Sequence, residues 1–115
     1  MAWTCTEDTT NSQRHLSPGD NWIDVEFTGD TSFLTAGENP SIGTALDVDY
    51  VYDMIVTTPP TAGYTPRLIP ATSYTADGAK IALYEYATGG GGAKTAVATG
   101  TNLAGMTFKA RLKVL

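Results

Sequence analysis

The chain has 115 residues and a mass of 12.1 kDa, room for a single domain, and its 42% hydrophobic, 17% charged and 10% aromatic content excludes a disordered polymer. A net charge of −5 removes any electrostatic pull toward phosphate backbones or anionic lipid, so nucleic acid and membrane surfaces are poor partners. The single cysteine, Cys5, excludes an internal disulfide and a multi-cysteine zinc site.

Residues 1–21 read as an extended, polar N-terminal arm with neither helical nor strand period, and residues 22–115 as the folded domain. The arm has no basic region followed by an apolar core, so it does not read as a secretory signal and predicts use without export. Either its own domain or another subunit holds such an arm, and Trp3 is its natural anchor, able to bury a large ring in a neighbour's pocket. Arg14 and His15 are its other partner-binding candidates; His15, the only histidine, sits in polar sequence with nothing to hold a catalytic geometry.

Residues 22–28 alternate, Ile23, Val25 and Phe27 against Asp24 and Glu26, which predicts a half-buried strand. Residues 29–47 have no helical stripe and read as a long connection with a brief strand or turn near Phe33–Leu34. Residues 48–56 predict a second strand, Val48, Tyr50, Tyr52, Met54 and Val56 on one face and Asp49, Val51, Asp53 and Ile55 on the other. Two partly apolar faces suit a sandwich interior or a subunit contact. Pro59 and Pro60 then end the ladder, since proline cannot donate to it.

Tyr64–Pro70 is extended but holds Pro66 and Pro70, which suits an edge strand. Thr72–Thr75 and Lys80–Tyr86 flank Asp77-Gly78 and read as a tight hairpin. Gly89–Gly92 is a loop tip, Lys94–Ala98 a short strand and Gly100–Gly105 a turn. The final segment is the most regular: Met106, Phe108, Ala110, Leu112 and Val114 inward, Thr107, Lys109, Arg111 and Lys113 outward. About seven short strands, with nineteen threonines and no helix, predict an all-β fold, a small antiparallel β-sandwich or barrel.

No catalytic constellation emerges. Thr88–Thr95 lacks both defining glycines of a phosphate-binding loop and is followed by β-forming Ala96-Val97-Ala98. Asp47, Asp49 and Asp53 lack the glycine and closing glutamate of a helical calcium loop. Asp24 and Glu26 share a strand face, as many solvated carboxylates do. The chain is therefore expected to be neither enzyme nor cofactor protein. The charge is uneven: residues 1–60 hold ten acids and one base, residues 61–115 two acids and six bases, a polarity suited to joining one part of the chain, or one copy, to another.

From about Asp24 to Leu115 the features run in the order Val25-Glu26-Phe27-Thr28-Gly29, Gly43-Thr44-Ala45-Leu46, Gly63-Tyr64, Asp77-Gly78-Ala79-Lys80-Ile81, Gly100-Thr101-Asn102-Leu103 and Thr107-Phe108-Lys109-Ala110-Arg111-Leu112. This order resembles a family of small virion proteins of tailed bacteriophages, the capsid decoration or cement proteins. Thr35-Ala36-Gly37-Glu38-Asn39-Pro40 departs from the family's frequent Thr-Gly-Gly step, and the arm is additional. The resemblance implies a structural virion protein that binds the major capsid protein on the outer capsid surface, bridges capsomers as a trimer or dimer, and resides in the host cytoplasm during assembly. Its partner-binding candidates are Trp3, Arg14, His15, Trp22, Tyr50 and Tyr52. The alternatives are a tail or head–tail connector component, or a carbohydrate-binding sandwich that displays its tyrosines on the virion.

Overall fold

A computed structural model describes residues 3–8, 21–60, 63–71, 78–86 and 94–114. Among these the chain forms seven strands and one short helix: β1 (Thr4–Glu7), β2 (Asn21–Thr28), α1 (Ile42–Leu46), β3 (Val51–Thr58), β4 (Thr65–Ile69), β5 (Lys80–Tyr86), β6 (Lys94–Ala96) and β7 (Thr107–Val114). They make two antiparallel sheets, β1-β2-β7-β3 and β4-β5-β6, in a sandwich-like all-β fold.

The alternation of β7 decides the centre of the molecule. Phe108, Ala110, Leu112 and Val114 are buried, and Thr107, Lys109 and Arg111 are exposed. β7 lies between β2 and β3, paired along its whole length with β2, so Phe108 stands opposite Phe27 with ring centroids 5.0 Å apart. Ile23, Val25 and Phe27 of β2 are buried beside it, and Ile81, Leu83 and Val97 enter the same cluster from the second sheet. A fully buried Phe, Leu or Ile contributes about 1.5–3 kcal/mol relative to exposure, so this one layer carries most of the driving force.

Two connections pack against each other, one leading from β2 toward α1 and the other from β6 to β7. The first, residues 29–40, runs against the second, residues 97–106, through four backbone hydrogen bonds: Gly29 N–H to Met106 O (2.9 Å), Leu103 N–H to Asp30 O (2.7 Å), Phe33 N–H to Thr101 O (3.0 Å) and Gly100 N–H to Phe33 O (2.7 Å). Phe33 is fully buried between them and the sheets. Gly29 is required by space, because a Cβ there would stand 2.7 Å from the Leu103 carbonyl oxygen. Glu38 then bridges Ile81 of β5 through reciprocal backbone bonds of 2.8 and 2.7 Å.

Three features differ from the sequence expectation. Residues 4–7, read as part of a polar arm, form strand β1, with Trp3 and Cys5 buried and Thr4 and Thr6 exposed. The alternation is present, but four residues are too few to stand out in polar sequence. The connection at 29–47 contains α1, whose Ile42 and Leu46 are one turn apart and both buried. Asp47 ends that turn in the left-handed region at φ 55°.

β3 begins later than its hydrophobic run and changes face. Its register against β7 slips between Val51 and Asp53 and again between Val56 and Thr58. Each irregularity sets an extra β3 residue against one on β7. Val51 is therefore buried and Met54 and Val56 half-buried, while Tyr52, Asp53 and Ile55 face outward. Strict period 2 put Val51 and Tyr52 on the wrong faces. Among the described residues β5 pairs with β4 on one side and β6 on the other; the expected hairpin's Thr72–Thr75 and Asp77 and the tetraglycine segment lie outside the described residues. β4, with Pro66 and at the sheet margin, is the edge strand its prolines require.

Candidate interaction face

The outer face of the four-stranded sheet gathers the polar half of the alternation. Its middle column is the basic side of β7, with Lys109, Arg111 and Lys113. On one flank β2 sets Glu26, Asp24 and Trp22 opposite these three in turn. On the other, β3 sets Asp53 opposite Lys113 and Ile55 opposite Arg111. The acidic first half and basic second half of the chain thus meet across a single sheet, which accounts for their separation in sequence.

Arg111 and Asp24 form a two-pronged pair, Nε to Oδ1 at 2.7 Å and the second guanidinium nitrogen to Oδ2 at 3.2 Å. The hydrogen bond and charge of Asp24 raise the already high Arg111 pKa, so this cation is permanent. Lys113 Nζ lies 6.0 Å from the centre of the Trp22 ring, within cation–π reach. At the same end Tyr52 meets Tyr50 edge to face with centroids 5.2 Å apart. Tyr52 is 39% and Ile55 50% exposed, two of the three large apolar side chains left in solvent among the described residues. The face sets Trp22 on one flank and Tyr52 and Ile55 on the other, on either side of the basic column of β7.

Of the sequence candidates, Trp22, Tyr50 and Tyr52 fall at this end of the sheet. Ile55, Arg111 and Lys113 join them and were missed as site residues; the outward alternation of β7 carries the signal for two of them. Arg14 and His15 lie outside the described residues. Trp3 is corrected: it belongs to the core, 2% exposed, packed 5.9 Å from Phe33 and 6.3 Å from Phe108. Inward alternation through Trp3 and Cys5 spends the ring on its own domain, leaving nothing for a partner. Its indole Nε1–H is buried without a hydrogen-bond partner.

The remaining chemistry is quiet. Cys5 is buried, and loss of solvation, with a smaller contribution from the charge of Glu7, pushes its thiol up to about 12, far from a thiolate nucleophile. Asp24 is held by Arg111, and Glu26 stands opposite Lys109. A groove of about 300 Å³ beside them is lined by Thr6, Glu7, Asp8, Asp24, Glu26 and Lys109, among others. Among the described residues no three His, Cys, Asp or Glu side chains are placed to hold a metal ion. The described tyrosines do not form one platform: Tyr64 packs on the core and Tyr84 belongs to the other sheet.

No protein-family model, curated protein or solved structure matches the chain.

Proposed function

We propose that the chain is a structural virion protein, a capsid decoration protein that binds the major capsid protein on the outer surface of the shell and holds adjacent capsomers together. The observation that carries this reading is the outer face of the four-stranded sheet: Trp22, Tyr52 and Ile55 beside Arg111 and Lys113, on strands paired along their length. Aromatic and arginine side chains at the centre of a rigid patch are the usual source of binding energy between proteins, each worth about 2 kcal/mol or more when buried. The flanking charges set orientation and exclude wrong partners. A decoration protein needs no chemistry of its own, and the order of turn and strand residues from Asp24 to Leu115 supports this assignment.

A trimeric or dimeric protein engages several lattice subunits at once, and the lattice converts weak contacts into durable attachment through effective concentration. The test is reconstitution: purified protein is mixed with undecorated capsid shells of its phage and occupancy is read by cosedimentation and cryo-electron microscopy. The expected result is saturable occupancy on the outer shell, reduced at least tenfold in affinity by Tyr52→Ala or Ile55→Asp. Density on the tail or connector, or undiminished binding by both variants, overturns the assignment.

A further inference from the structure

The outer face of the second sheet carries a separate concavity that the capsid reading does not use. Thr65, Pro66, Arg67 and Tyr84 line a pocket of about 380 Å³. Antiparallel pairing sets Thr65 opposite Tyr84 and Arg67 opposite Ala82. On its other side Tyr84 faces Ala96 of β6. Tyr84 therefore stands between two small neighbours and is half-buried.

Ala82, opposite Arg67, alternates with Ile81 and Leu83, which enter the core, and is itself 2% exposed. A diagonal pair such as Arg67 and Tyr84 lies about 7–8 Å apart in an antiparallel ladder, within reach of long side chains. Arg67 is exposed and makes no ion pair among the described residues, unlike Arg111 on the opposite sheet. The arrangement is a cation and an aromatic side chain lining one concavity together with Thr65 and Pro66.

We infer that this pocket binds an acidic saccharide, with a sugar ring stacked on Tyr84 and its carboxylate held by Arg67. Each part of the ligand answers a feature of the site. The apolar C–H face of a pyranose matches an aromatic plane, and a carboxylate matches the planar guanidinium fork with two parallel hydrogen bonds. The volume falls in the range of small-molecule sites, enough for one or two sugar rings. A phosphate polymer is a poorer fit, because the site offers a single cation where such a ligand needs several.

The experiment is an NMR titration of the isotopically labelled full chain with a galacturonic acid trisaccharide and, in parallel, the neutral galactose trisaccharide. Shifts should concentrate on β4 and β5, and the acidic sugar should bind at least tenfold tighter than the neutral one. Arg67→Gln, on an exposed side chain that leaves the fold intact, should weaken the acidic sugar at least tenfold. Tyr84→Leu should do the same, whereas Tyr84→Phe keeps the affinity within about twofold, the amide spectrum reporting the fold of each variant. Absence of binding to both sugars overturns the inference. So does equal affinity for the two, or undiminished binding by Tyr84→Leu, which would reduce the effect to surface charge.

Discussion

Replacing Trp3 by alanine separates a core residue from a partner anchor, because only a core residue matters to the isolated chain. The side chain is 2% exposed and touches Phe33 and Phe108. A buried aromatic removes about 150–250 Å² from water, worth roughly 4–6 kcal/mol at about 25 cal/mol per Å². That figure is an upper bound, since the unfolded chain already shelters part of the ring. The unpartnered indole N–H works against it, costing about 1–3 kcal/mol that alanine would relieve. The difference leaves a net destabilisation of about 3 kcal/mol.

Stability near 0.05–0.15 kcal/mol per residue makes that a large fraction of the total. With an unfolding entropy of about 2.1 cal/mol/K per residue, it lowers Tm by roughly 12 °C. Trp3→Phe keeps most of the ring contact and discards the orphan donor, so it should stay within about 1 kcal/mol of the parent. Urea unfolding followed by far-ultraviolet circular dichroism measures all three proteins. A Trp3→Ala protein within 1 kcal/mol of the parent, or Trp3→Phe as damaging as Trp3→Ala, refutes the reasoning.

Two further outcomes follow from the connection at residues 29–40. Glu38 is 7% exposed and accepts the Leu34 N–H at 2.9 Å, and loss of solvation, reinforced by the nearby Asp30 charge, raises its pKa above the usual 4.5. A carboxyl with a raised folded-state pKa binds its proton more tightly when folded, so its contribution is most favourable at low pH and declines as pH rises from about 4 through the raised value. Glu38→Gln retains an acceptor for Leu34 and abolishes that decline; its urea midpoint relative to the parent should rise with pH, and a constant difference contradicts the account. Gly29→Ala drives a methyl to 2.7 Å from the Leu103 carbonyl oxygen, where backbone cannot yield cheaply. It should cost about 1–3 kcal/mol by overpacking, measured by thermal unfolding, and an unchanged Tm would show that the two connections can part.

Regular alternation made much of the fold legible. β2 and β7 are readable residue by residue because one face is buried and the other wet, and a one-residue slip would turn every side chain over. The proline content of β4 placed it at an edge in the same way. β1 and α1 were hidden by length: four or five residues cannot display a period, and both exist because Trp3, Cys5, Ile42 and Leu46 find a core built by distant strands.

The interaction face was half visible. Trp22, Tyr50 and Tyr52 stood out by residue type, but the register shift between Val51 and Asp53 set Tyr52 and Ile55 outward while Val51 stays inward. Such irregularities express the fit between β3 and β7, and no property of β3 alone announces them. Composition and periodicity thus determined the β class, the inner faces of the long strands and the opposite charges of the two halves. Strand order, which brings β7 between β2 and β3, decided that those charges would neutralise one another on one surface, because pairing partners are chosen by three-dimensional packing over distances that local sequence does not span.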